Sequence, residues 1–235
     1  MMNLQQIDKR LRTLADPAIA EHSQRFFKTG PGEYGEGDRF RGIRVPVLRK
    51  LAREFKSLSM DETVKLLHSK WHEQRLLALL MMVNRFARAD DMGKKAIYSL
   101  YLENMPWINN WDLVDTTCAH IVGGWLYPRK RIVLYDLARS EILWERRIAI
   151  IASFYFIKQG DFSDTLKLSK QLLNDSHDLM NKAVGWMLRE VGKRDLQVEE
   201  QFLTEHYNDM PRTMLRYAIE KFPEDRRQAY LRGTA

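Results

Sequence analysis

Apolar residues recur at three-and-four spacing through nearly every segment between Leu4 and Tyr230, the period of a helix with one face turned to a core. The strict alternation that marks a strand is almost absent. The pattern predicts an all-α chain. Within 182–193, Ala183, Val184, Met187, Leu188 and Val191 form one apolar stripe, and Lys182, Trp186, Arg189 and Lys193 form the opposite one. A large aromatic ring interleaved with cations on the face expected to meet solvent needs a reason. The combination recurs upstream, where Trp111 and Asp115 lie one turn apart and where Trp144 leads into Arg146 and Arg147.

The helical segments also repeat. Trp71, Trp107 and Trp144 are separated by 36 and 37 residues, and Arg147, Lys182 and Arg216 by 35 and 34. A period of that length holding a helix pair is the mark of an α-solenoid, and the chain accommodates about six such repeats. An irregular helical bundle is the alternative. The extended stretch that no helix can hold is the glycine-rich segment from Thr29 to Asp38, read as a surface loop. Its Gly30-Pro-Gly-Glu-Tyr-Gly35 matches a dinucleotide fingerprint by letter, but no strand precedes it and no βαβ pattern surrounds it. After the loop come Arg41, Arg44, Arg49, Lys50 and Arg53. Backbone amides opening a helix beside arginines can seat a phosphate, and a solvated basic helix face accounts for the same residues equally well.

Composition narrows the partners. With 45% hydrophobic residues among 235, the chain can bury a sizeable core, as one large domain or two small ones, and a single domain spanning residues 1–235 is the expectation. Lys and Arg number 38 against 31 Asp and Glu, a net charge of +7 that favours a polyanionic partner. The single cysteine, Cys118, excludes an intramolecular disulfide and fits a reducing compartment. With no leader pattern at the start and no long apolar run, the expectation is a cytoplasmic protein, that of the bacterial cytoplasm or nucleoid, with no membrane contact.

Few residues carry readable chemistry. His68 and His72 lie four apart on a helical pattern, but no third ligand is near and the order is not that of a zinc motif; no metal or other cofactor is expected. Cys118 has no sequence-readable base and reads as a small core residue. Asp115 is different, because Cys118, Ala119 and Val122 follow it on its own helix face. A carboxylate beside apolar surface needs a cation or a hydrogen-bond donor. Arg147, close to one repeat later, is a candidate, which makes a plain inter-repeat salt bridge one account of the pair. The other account rests on the neighbours Trp111 and Trp186: aromatic faces around a carboxylate suit a substrate with positive charge, and surrounding lysines and arginines suit a phosphate backbone. A cationic base within DNA has both properties.

Trp-Asp-x-Val-Asp at 111–115, Trp-x-x-Arg followed by Ile-Ala-Ile at 144–150, and Lys-Ala-Val-Gly-Trp-Met-Leu-Arg-Glu at 182–190 resemble, in this order, the AlkD-type DNA alkylation repair glycosylases. The resemblance runs from about Phe40 to the C-terminal helices. It implies a right-handed α-solenoid of HEAT-like repeats with a concave basic groove for duplex DNA. It also implies hydrolysis of the N-glycosidic bond of N3- and N7-alkylated purines, with the lesion left in the duplex instead of being flipped into a pocket. By position, Asp115 matches the family's catalytic aspartate, Trp111 and Trp186 its aromatic pair at the lesion, and Arg147 its active-site arginine, which pairs with Asp115 or with a phosphate. Double-stranded DNA containing alkylated purines is then the partner, with no obligate protein partner and a monomeric state. Arg41, Arg44, Arg146, Lys182, Arg189 and Arg216 are the candidate DNA-binding cations.

Two departures accompany the resemblance. Asn110 precedes Trp111 where the family often shows a second tryptophan, which implies that this chain grips DNA there with one aromatic ring fewer or with a different residue. The loop at 30–38 is longer than the family's best-known members lead one to expect. Two other classes of function compete with the enzyme. One is a catalytically silent HEAT-repeat DNA-binding module, with binding that weakens steeply as salt rises. The other is a protein-binding solenoid anchored by Trp186, with weak, salt-insensitive DNA contact.

Overall fold

The computed structural model describes residues 3–235, and they are helical with no β-strand among them. An isolated parallel bridge joins Arg39 to Trp71. The chain divides into two compact units, the first ending at Thr117 and the second running from Cys118 to Ala235. No helix among the described residues is long and apolar enough to cross a membrane.

Unit 1 contains α1 (Leu4–Thr13), α2 (Pro17–Phe26), α3 (Val45–Glu54), α4 (Met60–Leu67), α5 (His72–Phe86), α6 (Asp91–Glu103) and α7 (Trp111–Asp115). Local chemistry sets their starts. Asn3 with Gln6, and Ser59 with Glu62, form reciprocal capping boxes on α1 and α4; Asp16 and Asp90 cap α2 and α6. The centre of the unit is α5, against which α3, α4, α6 and α7 pack. Every residue from His72 to Met82 is buried, as expected for a helix covered on all sides. Its first turn therefore carries polar groups into the interior, and each must find a partner. Glu73 accepts from the backbone amides of Arg41 (2.9 Å), Gly42 (2.8 Å) and Ile43 (3.2 Å). That nest requires Gly42, whose φ is +80° and whose added Cβ would lie 2.1 Å from the Asp16 carbonyl oxygen. Gln74 donates to Asp8 at 2.9 Å.

Unit 2 opens with a π-helical turn, Ala119–Gly123, followed by α8 (Gly124–Leu126), α9 (Ile132–Leu137), α10 (Leu143–Ala152), α11 (Phe154–Lys158), α12 (Ser163–Gln171), α13 (Asp178–Gly192), α14 (Leu196–His206), α15 (Arg212–Ala218) and α16 (Glu224–Arg232). Here α13 is central, in contact with α10, α12, α14 and α15. Two glycines allow close crossings at the same sequence separations. A Cβ on Gly123 would meet the Ala152 carbonyl oxygen at 2.2 Å and Tyr155 Cβ at 2.7 Å; one on Gly185 would meet the Met214 carbonyl oxygen at 2.3 Å and Tyr217 Cβ at 2.6 Å.

Polar ties between segments about thirty to forty residues apart recur within each unit. In unit 1 they join Arg41 to Asp8, Arg75 to Asp38 and His68 to Asn104, and in unit 2 Arg131 to Asp164, Arg146 to Asp175 and Arg189 to Glu220. Each links a helical segment to the region about one repeat away. The all-α, solenoid-like class expected from the periodicity is the class found.

Gly185→Ala should lower the melting temperature, with a loss of about 1–3 kcal/mol, because overpacking against a backbone carbonyl outweighs alanine's better helix propensity. Thermal unfolding checks it; an unchanged or raised Tm contradicts the close α13–α15 crossing.

Candidate active site

Trp111 and Asp115 open and close α7, a helix of five residues. A helix this short is not stable by its own hydrogen bonds; what fixes it is its surroundings in unit 1. Asn110 is fully buried and accepts from the Trp111 amide at 2.8 Å, while its Nδ2 donates to Asp38 Oδ2 at 3.3 Å. Asp38 comes from the end of the glycine-rich loop. Its other oxygen accepts from Arg75 at 2.6 Å. His72, 2% exposed, stands between two carboxylates: Nδ1 is 3.0 Å from Asp38 and Nε2 is 2.8 Å from Asp112 on α7.

The electrostatics follow from that placement. Burial opposes a charge on His72, but Asp112 and Asp38 outweigh it and raise the imidazole to about 9. Asp38 is likewise opposed by burial, and the His72 hydrogen bond and the Arg75 guanidinium hold it below the usual carboxylate range. His72 is therefore an imidazolium at neutral pH, with both N–H groups used. Its contribution to stability is complete below about pH 6.5 and is lost as pH rises through about 9.

Aromatic rings complete the support. Trp111 stacks on Phe27 (5.1 Å between centroids, 22° between planes), Phe27 on Phe40 (5.0 Å, 14°) and Phe40 on His72 (4.6 Å, 26°). Trp111 Nε1 donates to the Tyr34 hydroxyl at 3.3 Å, and Tyr34 comes from the glycine-rich loop. The ring and the Asp115 side chain one turn later are both half-buried. Phe26, 57% exposed, meets the Trp111 ring edge-on at 5.9 Å.

In unit 2, Arg147 is buried on α10 and donates to the Leu179 carbonyl of α13 at 2.5 Å. Trp186, on α13, is half-buried rather than standing clear of the surface. Its Nε1 donates to Glu190 at 3.3 Å, and its ring meets Phe154 at 5.8 Å. Burial opposes a charge on Glu190; Lys193, Arg194 and the Trp186 N–H overcome this and lower its pKa. The unit thus sets Arg147 and Trp186 on packed neighbouring helices, as unit 1 sets Trp111 and Asp115 on one helix.

The other candidate cations differ in their surroundings. Arg41 is buried, paired with Asp8 at 2.5 Å, and lies over the Trp71 ring at 4.5 Å. The amides of residues 41–43, read from the sequence as a possible phosphate seat, already hold the Glu73 carboxylate. Arg146 binds Asp175 at 2.6 Å and the Ser140 carbonyl at 2.9 Å. Lys182 pairs with Asp178 at 2.7 Å, and Arg189 with Glu220. Arg44 and Arg216 are exposed. His68 and His72 turn to different partners, His68 to Asn104 with its ring on Trp107. Among the described residues no group of three or more His, Cys, Asp or Glu side chains is placed to hold a metal ion.

Sequence reasoning missed Tyr34, Asp38, Asp112 and Glu190. Asp112 was visible as the first aspartate of Trp-Asp-x-Val-Asp, and Glu190 as the residue one turn beyond Trp186. Nothing local announced that the loop supplies partners for Trp111 and His72.

The sequence matches the profile of the DNA alkylation repair enzyme family over residues 7–222, and the chain belongs to that family. Membership supports a role in DNA repair. Among solved structures, a predicted DNA alkylation repair enzyme from Enterococcus faecalis has the same fold, with a TM-score of 0.67 at 17% identity over 89% of this chain and 97% of that one. No curated protein matches the sequence.

Asn110→Ala should destabilise the protein by about 1–3 kcal/mol, because the Trp111 amide is left without its acceptor and buried Asp38 without one of its donors. Urea unfolding measures it; a loss below about 0.5 kcal/mol would mean that Asn110 does not anchor α7.

Proposed function

We propose that the protein is an AlkD-type glycosylase that hydrolyses the N-glycosidic bond of cationic N3- and N7-alkylated purines in duplex DNA, without flipping the base into a pocket. The observation that carries this reading is the half-buried Asp115 carboxylate one turn from a tryptophan whose ring and N–H are both tied down. Alkylation at N3 or N7 places a positive charge on the purine and weakens its bond to the sugar. As the C1′–N9 bond breaks, its electron pair goes to N9 and the purine leaves neutral. The positive charge moves to the deoxyribose, as in other transfers through oxocarbenium-like states. Asp115 stabilises that charge and positions a water, which adds to C1′ and gives up its proton to the Asp115 carboxylate, from which it passes to solvent. Trp111 and Trp186 lie against sugar and backbone and favour the cation, while Arg147 contributes positive charge toward phosphate. Only lesions that are labile and cationic are substrates in this scheme.

Lys182, Arg44 and Arg216 are proposed as contacts to the DNA backbone. Arg41, Arg146 and Arg189 act through the ion pairs they already make, as supports for the helices that carry the site. HEAT-like repeats with a basic groove, action as a monomer and a cytoplasmic setting complete the proposal.

Release of 7-methylguanine from methylated duplex DNA by wild type and by Asp115→Asn, compared at matched DNA occupancy, tests it. The expected loss is at least about a hundredfold in rate, as for removal of a group that stabilises developing charge. No release by either protein, with salt-sensitive DNA binding intact, would establish the silent DNA-binding module instead.

A further inference from the structure

We propose that His72 is a positioning residue for the site: as a buried imidazolium bridging Asp38 and Asp112, it holds α7 so that Trp111 and Asp115 keep one fixed presentation. With five residues, α7 is too short to be stable by its own hydrogen bonds. Leu113 and Val114 are fully buried and pack α7 against the core, and its polar anchor is Asp112, whose Oδ2 meets His72 at 2.8 Å; its Oδ1 is buried with no hydrogen-bond partner among the described residues. The second anchor, Asn110, reaches the same Asp38 oxygen that binds the other nitrogen of His72. Both ties therefore meet at one imidazole. The Trp111 ring reaches that imidazole as well, through Phe27 and Phe40, which both lie against it.

A neutral histidine cannot serve both carboxylates, because one ring nitrogen becomes an acceptor facing a carboxylate oxygen. Loss of the proton at His72 would break one of the two ties and leave a buried carboxylate uncompensated. The charged groups facing the imidazole are Asp38 from the loop and Asp112 from α7. Arg75 on α5 compensates Asp38, Glu73 on α5 is occupied by the 41–43 amides, and Arg41 with Asp8 forms a neighbouring pair. Burial opposes the charge on His72 and the two carboxylates restore it, so that charge is lost as pH rises through about 9.

The test has one arm independent of catalysis and one that rests on the glycosylase reading. In nitrogen-15 spectra, the indole N–H resonance of Trp111, assigned through Trp111→Phe, should move between about pH 7 and 10 with a midpoint near 9. Asp112→Asn should lower that midpoint, and His72→Gln should abolish the movement. A Trp111 resonance that stays still across the range, or that titrates unchanged in His72→Gln, overturns the proposal. In the kinetic arm, His72→Gln should reduce kcat for 7-methylguanine release by about tenfold or more at neutral pH, with KM within about threefold, as expected when a reacting group is misplaced but binding surface is kept. Full kcat in that variant also overturns the proposal. Wild type that releases no base refutes the glycosylase reading alone, and the indole titration of wild type beside His72→Gln, which needs no activity, still decides the role of His72.

Discussion

Unit 1 depends on one buried charge. His72 enters the interior at the start of α5, and it is tolerable there because carboxylates stand at both of its nitrogens. Removing one member of such a buried set typically costs about 3–5 kcal/mol, because the others are left unpaired in a poor solvent for charge. That penalty fixes more than the histidine. Asp38 closes the glycine-rich loop onto α5, Asp112 closes α7 onto α5, and Arg75 ties the loop to the same helix. The loop in turn delivers Tyr34 to the indole of Trp111. A segment that looks dispensable by composition is thus part of the mounting of an aromatic side chain, and the precision of the site comes from long-range electrostatics.

Unit 2 reaches a similar end by different means. Its candidate residues sit on α10 and α13, long enough to be stable elements once packed, and the close crossing at Gly185 sets α13 against α15. Trp186 is held through its N–H by Glu190, as Trp111 is held by Tyr34. An indole that donates its N–H at one edge has its rotation limited while part of its face remains uncovered. An aromatic side chain held in this way has less ordering entropy left to lose when a ligand meets its face.

What the sequence disclosed follows from the range of each effect. Helix class is a local, periodic property, and α13 appears where the apolar stripe of 182–193 puts it. The Trp111–Asp115 pair was legible because one helical turn is a local distance. Asp38 and Asp112 as partners of His72 were not, because 34 and 40 residues separate them from it. Cations misled for the same reason: Arg41 reads as a surface charge until Asp8 and Trp71 are seen around it. Asn110 reads as a missing tryptophan until its burial shows it as the cap of α7. Periodicity tells which face a residue occupies, but only the fold tells what that face meets.

The central claim is that the repair step cleaves the bond between base and sugar. The most direct measurement is mass analysis of both products after duplex DNA carrying a single N7-methylguanine is incubated with the protein. The account predicts free 7-methylguanine and an abasic site in an otherwise intact strand. An intact strand in which ordinary guanine has been restored, with the methyl group transferred elsewhere, would contradict it.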